Sequence, residues 1–216
     1  MVVENRPGAG AALAAAFVAA APADGHTLLL QGVSTYASIA GLYKSLPFDP
    51  VRGFTPVANV TVSPFILTVN PAVKANTARE LADLARAAPG TLTFGSSGNG
   101  GSPHLFTELL AHGTGVKMVH VPYKGLGPAI TALMTGEIDM LLADVTVLPQ
   151  VKAGKVRALA VTTPRQSAVA PGIPTMAESG VPGMVMPSYI AVLGPAGIPR
   201  EIVNTLAADL NRALAA

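Results

Sequence analysis

The sequence predicts an α/β protein in which short strands and helices alternate with largely parallel pairing. Strand-like apolar runs recur between capped helical segments along the whole chain. The 216 residues include 22 Gly and 19 Pro, which suits many short elements joined by tight turns. Half of the residues are apolar, enough to bury a real core and to exclude a disordered chain.

The elements follow in order. Residues 2–4 form a short strand, and Pro7-Gly8 turns into an alanine-rich helix whose core stripe is Leu13, Phe17 and Ala20/Ala21. Asp24-Gly25 marks a turn before a strand over 27–31, and a short helix fits 34–45. Strands are predicted over 57–62 and 65–70, and Thr77-Ala-Arg-Glu80 is a capping box opening a helix that stops at Pro89-Gly90. A strand over 92–95 leads into the charge-free loop 95–102. Ser102 caps a helix with Pro103 at its first position, closed by Gly113. Strands over 117–121, 138–142, 156–162 and 189–193 alternate with helices ending at Gly136 and Gly154, a short helix over 174–179, and a final amphipathic helix over 199–215.

Composition excludes several classes. A net charge of +2 is no nucleic-acid footprint, and the absence of cysteine removes disulfides, thiolate metal sites and a cysteine nucleophile. The run between Arg6 and Asp24 imitates a signal peptide, but the residues before it lack a basic segment and alanine is only weakly hydrophobic. No membrane-spanning stretch is predicted. Gly8-Ala-Gly10-Ala-Ala-Leu13 has Leu where a dinucleotide fingerprint needs Gly or Ala. The loop 95–102 lacks the Gly-Lys-Ser/Thr ending of a phosphate-binding P-loop, and Ser97 lies outside any Gly-x-Ser-x-Gly elbow. His26, His104, His112 and His120 show no metal-ligand spacing, so His120 reads as a plain strand residue and no metal or cofactor is expected.

One constellation survives. The loop of Gly, Ser and Asn runs directly into a capped helix, leaving backbone N–H groups directed at one spot at the positive end of the helix dipole. Ser96, Ser97, Ser102 and Asn99 add donors, giving an anion site without a cation, suited to a carboxylate or phosphate. Gln31-Gly-Val-Ser-Thr35 is a second polar loop after a strand. Two such loops would clasp a ligand with an acid group at either end.

Several long segments then carry a resemblance. VVENRPGAG at 2–10, the P-x-D-G-x-T-L-L pattern at 22–29 and LYKSLPFDPVRGFTPVANV at 42–60 are similar to Bug-type extracytoplasmic solute-binding receptors of tripartite tricarboxylate transporters. So are SSGNGGSPHL at 96–105, VHVPYKGLGPAITALMTGEID at 119–139, VKAGKVRALAVTTPRQS at 151–167 and LGPAGIPREIV at 193–203. The match is collinear over essentially the whole chain.

The resemblance implies a type II periplasmic-binding-protein fold, two α/β lobes with a ligand cleft between them. The first lobe would comprise 1–95 plus 187–216, and the second 96–186. The chain resembles a family member shortened at both ends, so the first lobe is expected to lack the family's first strand and helix. The implied function is capture of a small organic carboxylate, a dicarboxylate in particular, and its delivery to membrane permease subunits in the periplasm. A monomer is expected, with no nucleic-acid partner and no cofactor.

Carried over residue by residue, Ser34 and Thr35 belong to the first-lobe side of the ligand site. Ser97, Asn99, Gly100, Ser102 and His104 come from the second-lobe loop, and Tyr123, Lys124 and Gly125 from VPYKG. Asp144 follows a strand near the cleft, and Tyr189 borders the return crossover. Two other classes stay open on the residues alone. One is a hydrolase or transferase using Ser97 and His104; the other is a cytoplasmic ligand-sensing module.

Overall fold

A computed structural model describes residues 2–6, 11–32, 41 and 44–215. In chain order the elements are α1 (Ala12–Ala19), β1 (Leu29–Gly32), β2 (Phe54–Ser63), β3 (Ile66–Val69), α2 (Ala78–Ala87), β4 (Thr93–Ser96), α3 (Ser102–Thr114), β5 (Val119–Pro122), α4 (Leu126–Thr135), β6 (Met140–Ala143), a 3₁₀ turn (Val145–Val147), α5 (Leu148–Lys152), β7 (Arg157–Val161), β8 (Ser188–Pro195) and α6 (Arg200–Ala215). The expected helix over 34–45 and the Gly8–Gly10 turn fall largely outside the described residues. Residues 2–6 form no strand; there Arg6 pairs with Glu4 at 2.9 Å and its guanidinium lies 3.6 Å over the Phe17 ring.

The chain divides into two compact units, 1–62 with 188–216, and 63–187. The first boundary therefore falls earlier than the 95/96 expected from sequence. The physical reason is strand pairing, because β3 and β4 both hydrogen-bond inside the sheet of the second unit.

In the first unit three strands are ordered β1-β8-β2, with β1 antiparallel to β8 in the register Leu29↔Leu193 to Gly32↔Ile190. Its core is small: Ala15, Val18, Leu29 and Phe54, with Phe48 meeting Phe54 edge to face at 5.6 Å. The stripe expected on α1 is corrected here. Leu13 and Phe17 face outward, whereas Ala12, Ala15 and Val18 are buried, the alanines having no long side chain to hold the helix off the sheet.

The second unit holds a five-stranded sheet ordered β5-β4-β6-β3-β7. β4 pairs parallel with β5 and with β6, but β3 runs antiparallel to both of its neighbours, so pairing is less uniformly parallel than expected. Both sheet faces are covered. Leu67, Val69, Phe94, Met140 and Leu142 pack under α2 and α3 on one side, while Ile66, Leu141 and Ala143 pack under α4 and α5 on the other. Each fully buried Leu, Ile, Met or Phe side chain contributes about 1.5–3 kcal/mol through burial.

Helix ends follow their sequence signals with small shifts. Thr77 Oγ1 accepts from the Glu80 N–H and Glu80 Oε2 accepts from the Asn76 N–H, a capping box displaced by one donor. Gly136 closes α4 in the left-handed region at φ 78°, and Gly115, rather than Gly113, closes α3 at φ 68°. Gly101, not Ser102, is the N-cap of α3 because its backbone is still extended at ψ 158°, which makes Ser102 the first helical residue. Residues 174–179 form turns rather than a helix; Thr175 bridges to Val161 and the Ser179 hydroxyl donates to Leu159 O at 2.9 Å.

Candidate functional site

Because β5, β4 and β6 run parallel, their carboxyl ends share one edge of the sheet. Three connections leave that edge: loop 97–101 after β4, residues 123–125 after β5, and Asp144 after β6. The helix following β4 packs on one face of the sheet and the helix following β6 on the other. A crevice opens where neighbouring strands send their helices to opposite faces, and in open α/β sheets ligands bind there, outside the carboxyl ends.

Loop 97–101 owes its shape to two glycines that adopt positive φ, Gly98 at 127° and Gly100 at 77°. A side chain on Gly101 would come within 2.8 Å of Ser97 Oγ and would turn that hydroxyl aside. The loop is pinned by hydrogen bonds. Ser96, fully buried, donates from Oγ to Gly98 O at 3.0 Å and accepts from Gly98 N at 3.1 Å. Its Oγ also lies 2.6 Å from His120 Nε2. Gly100 N donates to His104 Nδ1 at 3.0 Å, and Gly101 N donates to Gly98 O at 3.2 Å.

Ser96 Oγ thus has three partners, the Gly98 N–H, the Gly98 carbonyl and His120 Nε2, and a single proton is shared across the 2.6 Å contact with the neutral imidazole. His104 accepts at Nδ1 and so carries its hydrogen on Nε2, which lies 3.9 Å from Glu108 Oε1. The two imidazoles stack at 3.8 Å and 10°, and Phe94 lies against His120 at 4.9 Å and 24°. Burial, then the neighbouring His104, pushes the His120 pKa down to about 4, so its ring is neutral at physiological pH.

The sequence-predicted residues separate into three groups. Ser97, Asn99, Gly100, Ser102 and His104 lie together in the loop and the first turn of α3, as do Tyr123, Lys124 and Gly125 on the neighbouring connection. Neither Ser97 nor Asn99 enters the network that pins the loop, Asn99 is exposed, and Ser97 shares no hydrogen bond with His104. The Gly98, Gly100 and Gly101 N–H groups, expected to face a ligand, are instead committed inside the loop. The Tyr123 ring packs into the core beside α4 and its hydroxyl donates to Glu137 Oε1 at 2.8 Å. Partial burial and then Glu137 push its pKa up to about 12.

Lys124 is exposed. Asp144 caps the 3₁₀ turn, its Oδ1 accepting from Thr146 N at 2.9 Å and from the Thr146 hydroxyl, and its other oxygen makes no hydrogen bond with the described residues. Tyr189 is exposed in β8, in the other unit. Ser34 and Thr35 lie outside the described residues.

Sequence reading missed two participants. Ser96 stood only as a possible donor and His120 as a strand residue, yet both hold the loop. The available signal was register: in a parallel pair, Phe94↔His120 and Ser96↔Pro122 are partners, which brings His120 beside the end of β4. Among the described residues no group of three or more His, Asp or Glu could hold a metal ion. None of the described helices is long and apolar enough to cross a membrane.

Relatives share this architecture. The chain is 35% identical to Protein BugT of Bordetella pertussis over 99% of its own length and 66% of that protein's. An R. palustris protein solved with adipate superposes with a TM-score of 0.89 at 35% identity, covering 97% of this chain and 70% of that one. MatC from Rhodopseudomonas palustris, solved with bound malate, superposes at 0.86 with 32% identity, covering 95% and 70%. The chain thus spans about two thirds of the length of its curated relative, and its fold is the type II periplasmic-binding-protein fold with two α/β lobes. The family model for the tripartite tricarboxylate transporter family receptor matches residues 1–216, and the chain belongs to that family.

Proposed function

We propose that this chain is the ligand-capturing part of a periplasmic receptor that takes up a small organic carboxylate, a dicarboxylate in particular, and presents it to the permease of a tripartite tricarboxylate transporter. The observation that carries this reading is the edge formed by β5, β4 and β6, where a neutral loop of Ser and Asn meets the start of a 13-residue helix at the switch point of the sheet. Ser97 and Asn99 supply the donors, the start of α3 supplies positive potential, and Lys124 is the neighbouring cation. The family resemblance adds Ser34, Thr35, Asp144 and Tyr189 as further candidate contacts to the acid. Two relatives solved with adipate and malate support the ligand class.

The same reading assigns no turnover. A hydrolase built on Ser97 and His104 is disfavoured because His104 Nδ1 already accepts from Gly100 N–H, and a proton acceptor occupied by a backbone amide is not available to activate a hydroxyl. The buried Ser96–His120 pair has, among the described residues, no carboxylate or other acceptor bonded to the second ring nitrogen of His120.

The test is thermal unfolding with adipate, malate and a panel of mono- and dicarboxylates. An acid at a hundred times its dissociation constant adds about 2.7 kcal/mol, which raises the midpoint by roughly 5–11 °C for a chain of this size. A shift with a dicarboxylate and none with the matching neutral ester supports the receptor. Equal response to acid and ester, or to no member of the panel, overturns it.

A further inference from the structure

The stacked pair His104–His120 lies at the edge proposed above as the carboxylate site, yet one ring is turned away from any role as a donor to a ligand. His120 sits in mid-strand on β5, with Nε2 directed at the buried Ser96 hydroxyl 2.6 Å away, and its faces lie against His104 and Phe94. From Ser96 Oγ the connection runs to both the N–H and the carbonyl of Gly98. From His104 it runs to the N–H of Gly100. The two glycines so held are those with positive φ in the loop, at 127° and 77°, and glycine has more conformational freedom to lose than any other residue.

Asn99 lies between them and Ser97 precedes them, so these two donors are aimed by bonds that neither of them makes. We infer that His120 is a positioning residue for the ligand loop, acting through Ser96 on Gly98 and through its stack with His104 on Gly100, so that Ser97 and Asn99 are held ready before a ligand arrives. A preformed loop loses little conformational freedom on binding, which is the usual source of gained affinity in such an arrangement. The role rests on the proposed carboxylate site for its effect on affinity, but not for its effect on the loop.

Substitutions at His120 separate the bond from the stack. His120→Phe keeps an aromatic ring against His104 and Phe94 and removes the hydrogen-bond partner of Ser96. His120→Gln retains an amide group, donor and acceptor both, able to bond Ser96 Oγ. Ser96→Ala removes the relay atom itself and serves if His120→Phe fails to fold. The first readout needs no ligand: the amide resonances and hydrogen-exchange protection of Gly98 and Gly100 by NMR.

The expected result is loss of Gly98 protection by about tenfold in His120→Phe and Ser96→Ala, with His120→Gln within about threefold of the parent, the scale of one hydrogen bond. Binding of adipate and malate is the second readout, with about tenfold weakening in His120→Phe and restoration in His120→Gln. Unchanged Gly98 and Gly100 amides in His120→Phe overturn the proposal whether or not either acid binds. If the parent chain binds neither acid, the receptor reading fails while the amide measurement still decides the role of His120. A larger loss of Gly98 protection in His120→Gln than in His120→Phe also overturns it, because it reduces His120 to a packing residue.

Discussion

Two strand ends bury a polar side chain, and they treat it in opposite ways. At the end of β4, Ser96 is fully buried and every hydrogen-bonding position on its hydroxyl is occupied, by Gly98 twice and by His120 once. Near the end of β1, Gln31 is 8% exposed, and neither its Oε1 nor its Nε2 has a hydrogen-bond partner among the described residues. An unmet buried amide group costs about 1–3 kcal/mol, whereas a satisfied hydroxyl contributes a modest net gain. The edge of the second unit is therefore set by its own neighbours, while at the end of β1 the described residues leave hydrogen-bonding capacity unused.

Several substitutions break or sharpen that contrast. Gly100→Pro is the most severe: it removes the N–H held by His104 and forces a left-handed residue to φ near −65°, with a cost of about 3 kcal/mol or more. Carboxylate affinity then falls beyond detection in calorimetric titration, and the unfolding midpoint drops by roughly 6–12 °C. Asn99→Leu changes no bond in the loop network, so it weakens binding with little change in midpoint, and titration beside a melting curve separates the two effects.

Gln31→Leu acts in the opposite direction. Replacing an unpartnered buried amide by an apolar group of similar size stabilises by about 1 kcal/mol, raising the midpoint by roughly 2–4 °C. A fall in midpoint would show that Gln31 is satisfied after all and would remove the contrast. His112→Ala, exposed near the end of α3, leaves stability and affinity within experimental error, since surface substitutions away from such features stay within about 0.5 kcal/mol.

A pH dependence follows from the stacked histidines. The folded-state pKa of His120 is held at about 4, below the 6.5 of an unperturbed histidine, so the unfolded chain binds a proton first as pH falls. Its contribution is fully present above about pH 6.5, declines as the pH drops, and is lost below about 4. The ring is partly exposed and solvent screening limits the size to a few degrees of midpoint. His120→Gln removes this part of the slope between pH 6.5 and 4, and calorimetry over that range measures it.

Much of the architecture was legible because the chain is punctuated strongly. Thr77, Gly136 and Gly154 end or start helices where their chemistry requires it, and every strand of the second sheet overlaps an apolar run in the sequence. What was not legible depends on pairing in space. The antiparallel insertion of β3 between β6 and β7 moves the unit boundary from 95/96 to 62/63, and nothing local to residues 66–69 states which strands they will join.

The same limit governs the site. The loop 97–101 was visible from its glycines and from Ser102-Pro103, but the direction of its N–H groups was not. The sequence points those groups at a ligand, yet three of them are committed: Gly98 N to Ser96 Oγ, Gly100 N to His104 Nδ1 and Gly101 N to Gly98 O. His120 was overlooked because a lone histidine in a strand carries no spacing signal, and its partner lies 24 residues away on the adjacent strand. On α1 the spacing points to the larger residues Leu13 and Phe17 as the core stripe, whereas close approach to the sheet selects the small face.

The most direct test of the carboxylate site is an NMR titration of the isotopically labelled chain with adipate and with malate, following every assigned amide. The account predicts that the largest saturable shifts fall on Ser97, Asn99 and residues 101–105, with smaller ones at 123–125, and that Asn99→Leu abolishes them. Saturable shifts confined to another surface, such as the groove around Pro71, Arg157 and Ile173 at the far end of β7, with loop 97–101 unmoved, would contradict it.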